Sequence, residues 1–508
     1  MFHPYAETHY KFRLLWSPLH KRWPEIFLDA PHQLLPDKEL SIYILVKDAN
    51  LFPVNLKSLK ITAWDEHGAH TEQFHELQIR CDQNFFTYKL KVPRSNFQGM
   101  VRIRGEWTVE NHRGQSIQFT NHNFPGLPPG FLEVNLLQER LPYPELWKAG
   151  EMHCHSEFSS DPVEFGAPLA RMQEVADAVG LDFVLCTDHS YDFYYRREQY
   201  LIPCDPNANF REYQNQAYAL NTTYPSLPTM VPGEEVSCGN SLGQNVHLLV
   251  FGPKEFLPGL GDGGRRWFKN RPDLKVDQVL ERLKGIPTFA AHPKSRIGWL
   301  ERKIFRRGEW NESDISFPSK AQSISPIHGL QFWNGHLGSD YRLGKAFWVE
   351  QLLKGNPILP IGANDAHGDF NQNIGVKTPL FSLYQSRTHL FGKVRTLIPS
   401  PSKDIASLQK AFSQKKCLCT DGPFMDFFQK ESVFHLDAKS NVDFGSLSTI
   451  LIYGAEKGES QEKILYESHP NSGSMEYATD LPMPRNGYVR AEVITQKGCR
   501  ALTSAQFF

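Results

Sequence analysis

The sequence predicts an α/β protein: a strand–helix barrel over residues 147–430, set between β-sandwich-like domains at 1–146 and 431–508. Three observations predict it. At 508 residues the chain exceeds what one ordinary core organises, so several domains are expected. Its texture changes twice, from short alternating runs to apolar strands interleaved with amphipathic helices, and back again. The buried-looking runs of the middle region are also followed, again and again, by His, Asp and Glu.

In the first region, the runs 40–46 (LSIYILV), 59–64 (LKITAW), 85–92 (FFTYKLKV) and 100–109 (MVRIRGEWTV) alternate apolar with polar residues, as half-buried antiparallel strands do. A small β-sandwich follows, closed by the Pro- and Gly-rich turn at 124–131. In the middle region, 183–187 (FVLCT), 246–251 (VHLLVF), 287–291 (PTFAA), 330–333 (LQFW) and 358–363 (ILPIGA) read as buried strands. Between them, 168–180 (PLARMQEVADAVG) places Leu169, Met172, Val175, Ala176 and Val179 on one helical face, starting on Pro and stopping on Gly. Segments 276–285 and 342–355 end on Gly in the same way. Alternation of this kind points to an α/β barrel. After a helix at 402–413 and a turn at 421–423, strands return at 449–453, 463–466 and 488–494. No internal repeat is present.

Composition narrows the function classes. The chain is 40% hydrophobic and 22% charged with a net charge of −1, so no global field favours nucleic acid or a membrane surface. No apolar run reaches membrane-spanning length. The first sixteen residues mix His, Glu, Lys and Arg among aromatics, unlike a secretory signal, and a cytoplasmic location is expected. Eight scattered cysteines are not a disulfide framework, and Cys154 and Cys186 read as reduced core residues. One local bias stands out: residues 254–307 hold fourteen Lys or Arg against six Asp or Glu.

The chemistry lies in the polar residues after the strands. His153 and His155 stand at i and i+2, so an extended strand points both imidazoles to one face and Cys154 to the other. There follow Thr187–Asp188–His189, Gly233–Glu234–Glu235, His247, Ala291–His292–Pro293 and Asn364–Asp365–Ala366–His367. A lone His after a strand is usually a hydrogen-bonded structural residue. Repeated filling of strand ends with ligand types points instead to a metal centre at one rim of a barrel.

The pattern resembles the PHP superfamily, named for polymerase and histidinol phosphatase. The matching motifs are HxHxxxxxD at His153, His155 and Asp161, TDH at 187–189, GxE at 233–235, the His of HLL at 247, AHP at 291–293 and DAH at 365–367. The segments GLQFWNG (329–335) and TDGPF (420–424) resemble the branch that includes carbaryl hydrolase-type enzymes. The resemblance covers residues 147–430. It implies a distorted (β/α)7 PHP-type barrel holding two or three divalent ions (zinc, manganese or iron). Under it, His153, His155, Glu235 and Asp365 would bind a first metal, and Glu235, His247 and His292 a second. Asp161, His189 and His367 would bind a third. Glu235 is preferred to Glu234 because it keeps the GxE spacing, and Glu235, Asp365 and His292 are the expected catalytic residues.

Such a centre suits hydrolysis by a metal-activated water, and nitrogen and oxygen donors without thiolate fit zinc, manganese or iron. Lys294 and Arg296 follow His292 by two and four residues and are expected to clamp an anionic phosphoester. Arg265, Arg266, Arg302, Lys303, Arg306 and Arg307 would add a positive field. Against this, Trp267, Phe268, Trp299, Phe305 and Trp310 suit an apolar carboxylic ester or carbamate, or simply pack the insertion; Trp333, Phe347 and Trp348 read as core. The expected partner is a small anionic ester rather than nucleic acid or a membrane. No GxSxG elbow precedes a helix, and no Walker-type or dinucleotide-binding glycine loop is read in the sequence. His67, His70 and His75 read as a surface hairpin. The rival class is a non-enzymatic ligand- or glycan-binding protein on a relic barrel.

Overall fold

The strands Glu25–Asp29, Leu40–Lys47 and Phe85–Val92 pair antiparallel into one sheet of the N-terminal region. Gly99–Asn111 and Val54–Asp65 form the middle of a second sheet, flanked by Leu132–Leu136 and His70–Cys81. Period-two alternation turns Leu59, Ile61, Ile103 and Trp107 inward, where they meet Ile42, Ile44 and Val46 of the first sheet. Each such side chain contributes roughly 1.5–3 kcal/mol by burial. His67 and His70 lie exposed at the turn of the Val54–Asp65/His70–Cys81 hairpin. This computed structural model describes residues 23–124, 128–159, 166–261, 270–295, 297–299, 301–315, 327–368, 370–371, 373–377, 382–430, 433–482 and 486–508. Asp161, Arg265, Arg266, Trp267, Phe268 and Arg296 lie outside them.

The expected (β/α)7 barrel is corrected by the sheet topology. The protein is mostly β, with 44% strand against 17% helix, and its strands form separate sheets. Trp147–His155, Phe183–Cys186 and Thr229–Pro232 are parallel neighbours in one sheet. Glu234–Gly239, Asn245–Val250, Thr288–Ala291, Gly329–Asn334 and Leu359–Ala363 make another, of which only the last three run parallel to one another. The cause is local. Asn240 Oδ1 accepts the Leu242 and Gln244 amides, and Gly243 takes φ +70°, so a tight hairpin returns the chain at a point where a barrel needs a helical crossover. Short buried runs look alike whether their neighbours are parallel or antiparallel, which is why the sequence pattern misled.

Both sheets nevertheless pack on one apolar core, in which Met152, Phe183 and Val231 of the first meet Leu249, Phe289 and Ile361 of the second. The helix Leu169–Val179 buries Leu169, Met172, Val175, Ala176 and Val179 and ends on left-handed Gly180. Ser339–Leu353 covers the second sheet with Phe347 and Trp348. Trp147–His155 also pairs antiparallel with Arg395–Pro399, and from there the same sheet continues through Leu418–Thr420, Arg500–Thr503, Gly487–Thr495 and Leu447–Glu456. The expected boundary at 430/431 falls between two strands that pair with each other, Phe424–Lys430 and Val433–Lys439. No helix among the described residues is long and apolar enough to cross a membrane.

Candidate metal centre

The strand Trp147–His155 sends His153 and His155 to one side, while Cys154 turns away and its thiol donates to the Leu185 carbonyl. Parallel pairing aligns His155 with His367, and the two rings stack with centroids 4.0 Å apart. His189 follows Phe183–Cys186 and bridges to Glu235 along the backbone. His247 lies on the strand antiparallel to the one that carries Glu235. His292 and Asp365 leave their strands with φ of +28° and +53°. The His292 amide donates to Gln331 Oε1 at 2.8 Å, and the Asp365 amide to the His153 carbonyl at 2.7 Å. Strained backbone of this sort, pinned by its neighbours, is characteristic of functional sites.

Glu235 is the hub. Its Oε2 lies 3.0 Å from His153 Nε2, 3.4 Å from His155 Nε2 and 3.1 Å from His189 Nδ1. Its Oε1 lies 2.6 Å from His247 Nδ1 and 3.5 Å from His292 Nε2. Asp365 Oδ1 is 3.2 Å from His153 Nε2 and 3.3 Å from His155 Nε2. Three overlapping donor groups result: His153, His155, Glu235 and Asp365; His189, Glu235 and His247; and His155, His189 and His367. Seven of the eight described ligand candidates fall in these groups, with His155, His189 and Glu235 each in two, while His292, expected beside Glu235 and His247, stands outside them with its Nε2 3.5 Å from Glu235 Oε1. Asp161, the ninth, is outside the described residues. Glu234 points the other way, accepting Ser190 Oγ at 2.7 Å and the Leu257 amide at 3.1 Å.

Burial and charge act against each other here. Burial pushes Glu235 up, but His153, His247 and His189 outweigh it and hold its pKa well below the ordinary carboxylate value. Burial depresses His155, but hydrogen bonds and charge from Asp365 and Glu235 hold it well above the ordinary imidazole value. Burial alone holds Glu234 well above the usual range. A carboxylate has about four lone-pair positions, yet five ring nitrogens crowd Glu235. Divalent cations fit this donor set: they take neutral imidazoles and neutralise two buried carboxylates, with no thiolate present.

Several supporting groups escaped the sequence reading. Gln331 Oε1 lies 3.5 Å from His153 Nδ1, and Asn334 Nδ2 donates to Asp365 Oδ2 at 3.3 Å. Gln331 had a signal: a polar residue inside the apolar run 330–333, which needs a buried partner. His389, whose Nδ1 lies 2.9 Å from the Asn364 carbonyl, had none.

A cleft opens on the His292 side, lined also by His247, Asp365, Arg307, Asp340, Tyr341 and Trp310. Lys294 lines it but is already engaged: its ammonium donates to the Trp310 carbonyl at 2.8 Å, lies 3.6 Å from Glu309 and sits over the Phe347 ring. Arg307 lines the same cleft. Its segment is pinned to the strand bearing His247, because the Asn245 amide donates to the Arg306 carbonyl and the Gly308 amide to the Asn245 carbonyl. Trp299 is exposed, whereas Trp333, Phe347 and Trp348 are core.

No family model and no curated protein matches the chain. Among solved structures, a β-D-mannosidase from Dictyoglomus thermophilum aligns over 95% of this chain and 66% of its own, at 9% identity and a TM-score of 0.18. A β-glucuronidase from Parabacteroides merdae aligns over 95% and 64%, at 10% identity and 0.19. A structural-genomics target covers 21% of this chain and 88% of its own, at 13% identity and 0.15. The chain thus spans slightly less than two thirds of either glycosidase. At these TM-scores the alignments establish neither a shared fold nor a shared activity.

Proposed function

We propose that this protein is a metal-dependent hydrolase of the PHP type, acting on a small anionic ester, with phosphoesters the first class to test. The observation that carries the reading is Glu235, a buried carboxylate with five imidazole nitrogens within 3.5 Å of its oxygens. The ligand motifs support the PHP likeness although the sheets do not close as that family's barrel does. Bound zinc, manganese or iron would lower the pKa of water and offset charge on oxygen.

The chain's own residues have separable tasks. Glu235 is shared by two of the three donor groups, and Asp365 completes the group around His153 and His155. His292, with 19% of its side chain exposed, faces the cleft and is the ligand closest to an incoming substrate. Arg307 would meet the substrate's anionic oxygens, a role that a bidentate guanidinium fills well. Free cysteines suit a reducing compartment, and a cytoplasmic location belongs to the same proposal.

A second reading, hydrolysis of a carboxylic ester or carbamate at the same centre, is favoured by the Trp310, Phe332 and Tyr341 walls of the cleft. Paired chromogenic phosphate and carboxylate esters, offered to the zinc- or manganese-loaded protein, separate the two. Faster phosphate turnover supports the first reading and faster carboxylate turnover the second. Hydrolysis of neither would leave a ligand-binding protein as the better account.

A further inference from the structure

The loop leaving the Trp147–His155 strand carries two serines with no place in the chemistry above. Both are tied to Asp188. Asp188 Oδ1 accepts the Ser156 amide at 2.8 Å, the Ser159 amide at 2.9 Å and Ser159 Oγ at 2.8 Å, while Oδ2 accepts Ser156 Oγ at 2.6 Å. Four converging donors make the environment of a carboxylate, which can only accept. The Ser159 hydroxyl hydrogen is therefore directed at Asp188. What Ser159 turns towards His155 Nδ1, 3.1 Å away, is a lone pair.

The consequence falls on His155. A lone pair facing Nδ1 requires that nitrogen to carry a proton, so whenever the ring is neutral it is the Nε2 lone pair that faces the cluster, where Nε2 lies 3.3 Å from Asp365 Oδ1 and 3.4 Å from Glu235 Oε2. The reverse orientation would set the Ser159 lone pairs against a carboxylate oxygen at 2.8 Å, inside a buried pocket. The backbone holds the arrangement. A Cβ at Gly166 would lie 2.0 Å from the His155 carbonyl oxygen, so only glycine lets the returning chain press against this loop.

We propose that Asp188 and Ser159 are positioning residues that fix His155 in its Nδ1–H tautomer and so present Nε2 as a metal donor. The proposal rests on reading the cluster as a metal centre. Hydrogen-bonded partners of ligating histidines act in this way, and losing one typically weakens metal affinity tenfold to a hundredfold.

The test uses the full chain with ¹⁵N-labelled histidine, loaded with zinc, and its Ser159→Ala, Ser159→Thr and Asp188→Asn variants. In wild type, His155 should show a protonated Nδ1 and a zinc-shifted Nε2. Ser159→Ala should lose roughly ten- to a hundredfold in zinc affinity by chelator competition, and Ser159→Thr, which keeps the hydroxyl, should restore it. Asp188→Asn, whose oxygen would stay beneath the Ser156 and Ser159 amides and whose NH2 would face Ser156 Oγ, should keep the Nδ1–H signature. A wild type with the proton on Nε2, or a Ser159→Ala protein with unchanged affinity and signature, overturns the proposal. If wild type takes up no zinc, the metal reading fails separately. The tautomer is then read on the metal-free protein at a pH alkaline enough to leave His155 neutral, where Nδ1–H in wild type and its loss in Ser159→Ala uphold the relay and the reverse overturns it.

Discussion

Glu234 and Glu235 are adjacent, both fully buried and identical in chemistry, yet the structure requires opposite results from changing each to glutamine. Strand alternation sends them to opposite faces. Glu235→Gln leaves the imidazoles around a neutral amide. Removing one partner from a buried charged arrangement costs about 3–5 kcal/mol, and at 1.36 kcal/mol per tenfold that is a loss of roughly 10²- to 10⁴-fold in metal affinity. Glu234 faces Ser190 and the Leu257 amide, and burial holds its carboxyl well above the usual range, which favours the neutral acid. Glutamine is close to an isostere of that acid. Glu234→Gln should therefore cost no more than about 1.5 kcal/mol, the scale of one ordinary hydrogen bond, and should leave metal binding intact. The assay is metal per chain after dialysis against a weak chelator, together with urea unfolding of both variants. A Glu235→Gln protein that holds metal as wild type does, or a Glu234→Gln protein that loses it, refutes the assignment of faces.

Arg307→Gln should raise KM for an anionic ester roughly ten- to a hundredfold, the worth of a charge-assisted contact, and leave a neutral ester little changed. An unchanged KM in steady-state kinetics would remove Arg307 from the clamp. Asp29, buried where the N-terminal strands meet Phe370, has its pKa raised to about 8 from 3.8, chiefly by burial. The folded state thus keeps a proton the unfolded state has released, and stability should fall as pH rises across that window, by up to about 1.4 kcal/mol per pH unit. Asp29→Asn should flatten this slope in urea titrations, and an unchanged slope would show that the carboxyl titrates normally. Gly150→Ala would place a Cβ 2.1 Å from the Phe183 ring, so a loss of about 1–3 kcal/mol is expected. Unfolding at the wild-type midpoint would show that the ring gives way freely.

The cluster of candidate ligands was legible because His, Asp and Glu at the ends of apolar runs are costly to bury without a partner. His153 and His155 needed only the two-residue period of a strand, and the spacing that preferred Glu235 to Glu234 agrees with the faces the strand gives them. The sheet layout was not legible. Val246–Leu249 reads the same in a hairpin as in a crossover, and the deciding residues, Asn240 and Gly243, form a turn whose consequence is topological. Supporting residues were mostly hidden for another reason. Ser159 and His389 are ordinary residue types whose roles depend on what folds against them, and Lys294 was close in sequence to His292 but had its ammonium drawn away by Trp310 and Glu309. Arg307 reaches the cleft from fifteen residues further along only because its backbone is pinned beside Asn245.

The most direct test of the central claim is elemental analysis of purified protein and of His153→Ala, with hydrolysis of the paired esters measured on the same samples. The account predicts two or three zinc, manganese or iron ions per wild-type chain, with fewer ions and no turnover in the variant. A folded wild-type chain that holds no metal, and stays inert after reconstitution with zinc or manganese, would contradict it.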